Sequence, residues 1–314
     1  MKILIGYDRS TKAENAVQDL ARAGLPAEAE VILLSVIPPM LPLDMLTPEG
    51  YSPVWYSSAY NEALKSSHEI EKQIKIKGHL ASKILKKCFP KWKVTFEVAT
   101  DQPSHAILKR AEEWKPDLIV LGSHGWNSVG KMLLGSTAEK VLTHADVSVR
   151  LGKGEAKEKV APPRILIGFD GSNESRAAVE EVADRSWPKG TRVKLLAISD
   201  FQIRLDLLSM SLKKTKAANI ASFSPWPWMD KKLALAVEKL EESELEVESE
   251  IVVGDPRHVL LEAAKKFKAD SIFMGNRGLS GFKRFMLGSV SAAVASHSPC
   301  SIEIIRKGQG KKKK

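Results

Sequence analysis

The chain repeats itself, and this repeat limits the possible folds more than any other feature. The segment Lys2–Ser10 (KILIGYDRS) matches Arg164–Ser172 (RILIGFDGS), and the apolar run that starts at Val31 matches the one that starts at Val193, both at a shift of 162 residues. Farther along, Pro103 matches Pro256 at a shift of 153. Two copies of about 150 residues each have the usual size of a domain. The sequence therefore predicts a tandem duplication in a chain of 314 residues.

Each copy alternates short apolar runs with longer segments of helical periodicity. This alternation implies right-handed crossovers and a parallel sheet covered on both faces. We predict two tandem, doubly wound, five-stranded α/β domains at 1–151 and 164–306, a polar linker at 152–163 and a basic tail at 307–314. The predicted strands lie near 2–6, 31–36, 94–99, 117–121 and 147–150, and near 164–168, 193–198, 246–253, 270–275 and 301–305. The predicted helices of the first copy lie near 12–23, 58–88, 103–114 and 136–144.

Two segments, 38–57 and 200–230, read as irregular because they are rich in Pro, Ser and Trp. The second contains Trp226-Pro-Trp228. An aromatic loop of this kind either covers a ligand or packs on the edge of the sheet of its own domain, and both interpretations stay open.

Charge and hydropathy exclude several other classes of protein. The longest apolar runs fall far short of the roughly 20 residues that cross a bilayer, and no leader peptide is visible at the N-terminus, so we expect a cytoplasmic protein. Cys88 and Cys300 are isolated, which predicts reduced thiols. The net charge is +10, but Lys311–Lys314 supply four of those charges. We interpret the tail as solubilising and do not expect nucleic acid as a partner.

A glycine pattern, G-x2-G-x9-G-S, occurs once in each copy, at 122–136 and at 275–289. Each begins where the predicted fourth strand ends, which is the edge where doubly wound sheets bind ligands. Glycine lets backbone N–H groups approach a ligand, and the second part of the pattern opens a helix, whose free N–H groups and dipole favour an anion. Ser136 and Ser289 suit either a phosphate oxygen or capping of that helix. The pattern predicts a phosphate site in each copy.

Other candidate residues end the first and second strands of each copy. Asp8 and Asp170 could accept from a ribose hydroxyl or an adenine edge, or they could cap the next helix. Val36 and Ile198 could form an apolar wall for a base, although core packing would require the same residue types. Arg277 adds a fixed positive charge where the first copy has His124, and both could equally be solvent-facing loop residues.

Together these motifs resemble the universal stress protein family in its tandem form, over nearly the whole chain, and the glycine pattern resembles that of its ATP-binding subgroup. The resemblance implies an adenine nucleotide alpha hydrolase-like fold and a bound ATP, AMP or ADP, with Mg²⁺ carried only by the nucleotide. In the first copy it implies nucleotide contacts from Gly6, Tyr7, Asp8, Val36, Gly122, His124, Gly125, Gly135, Ser136 and Thr137. In the second copy the corresponding residues are Gly168, Phe169, Asp170, Ile198, Gly275, Arg277, Gly278, Gly288, Ser289, Val290 and Ser291.

The first copy departs from the family pattern, whereas the second keeps it. Ala138 lacks the hydroxyl that Ser291 supplies, Asp101 stands where the second copy has Gly254, and Arg9 replaces the residue type of Gly171. We therefore predict one tight site in the second copy and a weakened site in the first.

The resemblance also implies a pseudo-dimer of the two halves, formed by pairing Val147–Arg150 with Ser301–Ile305. Association of whole chains into a homodimer stays open, and no protein partner can be named.

Catalytic motifs are missing from the sequence. It has no Walker G-x4-G-K-[S/T], no H-E-x-x-H, no G-x-S-x-G and no G-x-G-x-x-G, and Glu139 reads as an exposed helix carboxylate. We expect a cytoplasmic stress-response regulator that is not an enzyme and whose conformation or partner choice follows a bound adenine nucleotide. Two alternatives stay open: a weak ATP hydrolase or phosphotransferase, and an interaction module with empty sites.

Overall fold

The computed structural model describes residues 1–39, 53–123, 134–153, 161–199, 227–278 and 287–306. The strands of the first half are β1 (Lys2–Gly6), β2 (Glu30–Ile37), β3 (Lys93–Thr100), β4 (Leu118–Gly122) and β5 (Ser148–Gly152). Its helices are α1 (Thr11–Asp19), α2 (Pro53–Cys88), α3 (Pro103–Trp114) and α4 (Ser136–His144), with a 3-10 turn at Leu20–Arg22 after α1.

The second half repeats this order of elements. Its strands are β6 (Arg164–Phe169), β7 (Arg192–Ser199), β8 (Glu246–Val253), β9 (Ser271–Gly275) and β10 (Ser301–Ile305). Its helices are α5 (Asn173–Ala183), α6 (Pro227–Glu241), α7 (Pro256–Phe267) and α8 (Ser289–His297). The predicted α/β class is confirmed, and each predicted strand lies within two residues of its observed bounds.

All ten strands form one continuous sheet in the order β3-β2-β1-β4-β5-β10-β9-β6-β7-β8. Within each half the strands run parallel, whereas β5 and β10 pair antiparallel at the centre, with Arg150 opposite Glu303. This junction is the pairing of last strands that the sequence predicted. It turns the two five-stranded halves into a pseudo-dimer within one chain.

The apolar core follows from this arrangement. On one face a single cluster joins both halves, including Leu4 and Ile119 from the first and Leu166 and Ile272 from the second. On the other face each half keeps its own core, with Val17 in the first cluster and Phe273 in the second. Burial of apolar area at about 25 cal/mol per Å² stabilises both layers.

Two sequence predictions need correction at their borders. Helix α2 begins at Pro53 and α6 at Pro227, so the ends of the predicted irregular segments 38–57 and 200–230 are helical. Proline suits the first turn of a helix because it lacks only an N–H that would be unpaired there. Gly152, predicted to begin the linker, is instead the last residue of β5.

The structure does not describe the rest of the segments that were predicted to be irregular, linker or tail. Residues 40–52, 154–160, 200–226 and the tail from 307 lie outside the described residues. Within the described ranges, none of the helices combines the length and the apolar character that crossing a membrane requires.

Candidate functional site

The candidate site of each half lies where the strand order reverses. In the first half β1 pairs with β2 on one side and with β4 on the other, so the chain leaves β1 and β4 in opposite directions. A crevice opens between such neighbours at the carboxyl ends of the strands. Gly6 and Gly122 end these two strands, and Gly168 and Gly275 lie at the corresponding ends of β6 and β9. The topology therefore brings together residues that are more than 100 positions apart in sequence.

A cavity of about 340 Å³ occupies this crevice in the first half. Its volume lies at the lower end of the range for small-molecule sites. Eight of the predicted site residues line it: Gly6, Tyr7, Asp8, Val36, Gly122, Gly135, Ser136 and Thr137. The remaining two, His124 and Gly125, lie outside the described residues. The sequence analysis did not predict ligand contacts for the other lining residues, although it noted Arg9 and Ala138 as departures from the family pattern. These residues are Arg9, Leu34, Ser35, Pro38, Ile74, Pro103, Ile107, Leu121 and Ala138.

The last helix of each half starts at this edge with a glycine as its N-cap. Gly135 precedes α4 and Gly288 precedes α8, and no side chain among the described residues caps either helix. Ser136 and Ser289 are the first helical residues and are exposed, so the alternative that they cap the helix is wrong. The first N–H groups of each helix, together with the positive end of its dipole, are left to attract an anion.

The glycine caps are themselves held in place. Gly135 donates its backbone N–H to the carbonyl of Ser123 at 3.1 Å, and Gly288 donates its own to the carbonyl of Asn276 at 2.8 Å. Each helix therefore begins at a fixed position beside the chain that leaves β4 or β9. The fold itself therefore fixes the N-terminus of each helix, so a ligand that bound there would pay little cost for ordering it.

The aspartates at the ends of β1 and β6 hold turns rather than cap helices. Oδ1 of Asp8 accepts from the backbone N–H of Ser10 at 3.0 Å and from its hydroxyl at 2.6 Å, and Ser10 itself caps α1 by accepting from Ala13 N–H at 3.1 Å. Asp170 accepts in the same way from Ser172 N–H at 3.0 Å, and Ser172 caps α5. The helix-cap alternative for the aspartates is therefore wrong. In the first half this leaves Asp8 exposed and lining the cavity.

The first glycine of each pattern is needed for helix packing. A Cβ at Gly122 would lie 3.0 Å from the carbonyl carbon of Lys12, and one at Gly275 would lie 2.8 Å from that of Glu174. The N-terminal turns of α1 and α5 thus press directly on the strand ends. Gly278 instead lies close to the carboxylate of Asp170, since a Cβ at Gly278 would lie 2.5 Å from Oδ2 of that residue. This contact brings the loop after β9 to the end of β6.

Ser291 has a role that the sequence did not predict. Only 2% of the residue is exposed, and its hydroxyl donates to the carbonyl of Gly275 at 2.9 Å. A phosphate oxygen is an acceptor and would need the proton that Gly275 already receives. In this structure this hydrogen bond, here called the Ser291 brace, ties the start of α8 to the last residue of β9, and Ala138 leaves the first half without that brace.

The other two departures of the first half from the family pattern, at Arg9 and Asp101, also have local structural effects. Arg9 adopts a left-handed φ of +67°, close to the +74° of Gly171, which strains a residue that carries a Cβ. Asp101 bonds Nδ1 of His105 at 2.6 Å and accepts from Gln102 N–H. These contacts lower the pKa of Asp101, the His105 hydrogen bond contributing most. An ionised carboxylate therefore stands two residues before Pro103, which lines the cavity.

In the second half the predicted residues occupy the matching positions. Gly168 and Phe169 are buried at the end of β6, Ile198 is partly buried near the end of β7, and Val290 is the second residue of α8. Arg277 lies two residues after β9. Arg306, directly after β10, donates to the carbonyls of Leu142 and Val147 of the first half, and burial lowers its pKa to about 10.

Sequence reasoning missed several contacts around the turns. Nζ of Lys232 on α6 donates to the carbonyl of Gly171 at 2.7 Å and lies 5.3 Å from the ring centre of Trp228. In the first half, the buried hydroxyl of Ser35 donates to the carbonyl of Tyr7 at 2.7 Å. Burial raises the pKa of Tyr7 to about 12, so its ring is a neutral part of the core. No motif surrounds Lys232 or Ser35 that could have pointed to them.

Comparisons with known proteins agree with this architecture. The family model described as Universal stress protein family matches residues 1–151 and 163–306. A universal stress protein of Mycolicibacterium smegmatis is 26% identical over 317 residues, which cover 97% of this chain and 96% of that protein. A universal stress protein of Mycobacterium bovis is also 26% identical and covers 97% and 94%.

Solved structures extend the likeness to the fold. The crystal structure of a universal stress protein from Archaeoglobus fulgidus has a TM-score of 0.64 at 22% identity and covers 98% of both chains, which shows that the same fold is used along the whole length. The duplicated sheet, the two glycine-capped helices at the switch points and the match of the family model to both halves lead to one conclusion. The chain belongs to the universal stress protein family.

Proposed function

We propose that the chain binds an adenine nucleotide at the carboxyl edge of its sheet and serves as a cytoplasmic regulator of the stress response. The observation that carries the proposal is the start of α4 and α8, where a glycine caps the helix and the first N–H groups face the ligand edge. In the first half the same cavity has an apolar side formed by Leu34, Val36 and Ile107. A helix N-terminus suits phosphate, and an apolar wall suits a purine base.

The residues present fit a nucleotide better than a free phosphate ion. A phosphate alone would need only the helix end, whereas the cavity also continues to Asp8, whose carboxylate can accept from a ribose hydroxyl. Mg²⁺ would arrive with the phosphates of ATP. The ligand then acts through its different affinity for two states of the protein, and this difference changes conformation or partner choice.

The two sites are proposed to differ in affinity. The second half has Arg277 two residues after β9 and the hydrogen bond of Ser291 to the last residue of that strand. The first half has Ala138 in place of the brace and the ionised Asp101 near its rim. The charge of Arg277 and the hydrogen bond that fixes the start of α8 both favour anion binding at the second site.

Placing a carboxylate at the start of each helix tests the phosphate assignment. Ser136→Glu and Ser289→Glu put negative charge at an exposed first helical position, which stabilises the helix by about 0.3–1 kcal/mol while repelling a phosphate. We expect each variant to melt no lower than wild type and to lose ATP binding in its own half by at least about tenfold, or about 1.4 kcal/mol. Ser136→Ala and Ser289→Ala are the neutral controls. ATP binding by the Glu variants that equals that of the Ala controls would refute the phosphate assignment.

We propose binding without turnover. Glu139 is exposed on the first turn of α4, as expected of a solvent-facing carboxylate, and no catalytic role is assigned to it. Steady release of ADP from ATP that disappears in Ser289→Glu but not in Ser289→Ala would favour the alternative, a weak ATP hydrolase.

A further inference from the structure

The junction of the two halves is built around a pseudo-two-fold axis. Residues of the last strands correspond at a shift of 153, and two of their contacts obey the symmetry. Ser148 accepts from the backbone N–H of Arg306 at 3.1 Å, and Ser301 accepts from that of Lys153 at 3.0 Å. The side chains of Lys153 and Arg306 each reach carbonyl groups near the end of the last helix of the opposite half. These contacts would be equally available to two identical halves.

The centre of the junction breaks that symmetry by charge. Arg150 faces Glu303, which is its own counterpart in the repeat, with Nη1 3.3 Å from Oε2. Both side chains are fully buried. Arg150 also binds Asp19 of its own half at 2.7 Å, and Glu303 also binds Arg185 of its own half. Two first halves would instead bring Arg150 against Arg150, and two second halves would bring Glu303 against Glu303.

The sizes of the side chains at this junction also differ between the two halves and break the symmetry. The ring of Trp187 covers Gly24, and its atoms lie 2.6–2.7 Å from where a Cβ on Gly24 would be. Gly24 has a φ of +62° and accepts at its carbonyl from Ser186 N–H at 3.0 Å. At a shift of 162 the counterpart of Gly24 is Ser186 and that of Trp187 is Leu25. A pair of second halves would therefore place Trp187 over a residue that carries a Cβ. A pair of first halves would leave the space over Gly24, which the ring of Trp187 fills here, partly empty.

A third contact, an ion pair across the junction, also disfavours the pairing of two second halves. Nη2 of Arg22 lies 2.7 Å from Oδ2 of Asp270, with both side chains largely buried. The counterpart of Arg22 in the second half is Asp184. A pair of second halves would therefore bring Asp184 towards Asp270, two groups of like charge, in a place with little water to screen them.

We propose that the β5/β10 edge is selective for the unlike half: the first half pairs with the second half, and neither pairs with a copy of itself. Breaking a buried ion pair while burying like charges is strongly unfavourable, and such repulsion is how an interface rejects a wrong partner. Two chains that associate through this edge therefore do so by exchanging halves, first with second, and a second copy of the same half is excluded.

The experiment starts from the folded full-length chain. A protease site placed within residues 154–160 allows the linker to be cut after folding. Nicked protein, half of it labelled with ¹⁵N, is dissociated in moderate urea, returned to buffer and examined by native mass spectrometry, which separates unlike from like pairs. We expect only unlike pairs, now mixed in isotope, with like pairs at least about tenfold below their statistical share, a difference of about 1.4 kcal/mol.

Two variants separate selection from simple affinity. Arg150→Gln combined with Glu303→Gln removes the central charges, and like pairs should then rise at least several-fold above their wild-type level. Lys153→Gln weakens only a contact that obeys the symmetry. It should weaken the unlike pair, and equally any pair of first halves, without producing like pairs.

Three results would overturn the proposal. One is a statistical mixture of pairs in the nicked wild type. The second is a failure of the wild-type halves to form the unlike pair again, and the third is like pairs in the Lys153→Gln protein alone. The wild-type measurement decides the matter even when a variant does not fold.

Discussion

Removing the hydroxyl of Ser291 tests how the start of α8 is held to the end of β9. In the Ser291→Ala variant the carbonyl of Gly275 loses a donor at 2.9 Å inside a buried site. An unpaired buried acceptor costs about 1–3 kcal/mol, and the lost oxygen leaves little space, so we expect a loss of about 1–2 kcal/mol in the free energy of unfolding. With a shift of roughly 2–4 °C per kcal/mol for domains of this size, Tm should fall by about 2–8 °C. Urea unfolding and calorimetry both measure the change.

The first half supplies the matched reverse change. Ala138 is 3% exposed and stands at the equivalent position of α4, so Ala138→Ser should place a hydroxyl near the carbonyl of Gly122. We expect a gain of about 0.5–1.5 kcal/mol, the usual net value of one hydrogen bond. An unchanged stability of Ser291→Ala, within about 0.3 kcal/mol, would show that the hydroxyl is no brace.

Three further predictions rest on single residues. Arg9→Gly should stabilise the chain by about 0.5–1 kcal/mol in thermal melts because it relieves a φ of +67°, whereas Gly171→Ala at +74° should destabilise it, and the opposite order would refute the strain. A thiol reagent should modify the exposed Cys88 in the native protein but not Cys300, because Cys300 is buried and burial raises its pKa to about 12; rapid labelling of both would contradict this burial. Burial lowers the pKa of Lys153 to about 8 from 10.5, so between these pH values the unfolded chain binds more protons than the folded chain. The contribution of Lys153 to the free energy of unfolding should therefore rise with pH across that window. A Lys153→Met variant whose stability has the same pH profile as wild type would exclude that effect.

The repeat made most of the fold predictable. Matching runs at fixed shifts identify strands twice, which is why the ten strands were located closely. The start of α6 was missed because Trp226-Pro-Trp228 was interpreted as loop, although proline also begins helices. The interpretation of the glycines was incomplete for a different reason. Packing of α1 against Gly122 depends on the crossover that returns α1 onto β4, and a local pattern does not contain that contact.

The site was predictable to the level of residues but not of contacts. Eight of the predicted residues line one cavity because parallel strands end at the same edge of a sheet. Which serine caps a helix and which braces a loop depends on side-chain direction, and Ser10, Ser136 and Ser291 look alike in sequence. The Arg150, Glu303 and Arg185 cluster joins two apolar strands and the turn after α5, and each of its ion pairs spans more than 100 residues of sequence. No local pattern of charge marks it as an interface.

The most direct test of the proposed function is a calorimetric titration of the nucleotide-free full-length chain with ATP, beside the Ser289→Glu and Ser136→Glu variants. We predict two classes of site in the wild type, loss of the tighter one in Ser289→Glu and loss of the weaker one in Ser136→Glu. Two equal sites, or a tight site that survives in Ser289→Glu, would contradict the predicted asymmetry. The absence of any binding would contradict the nucleotide proposal itself.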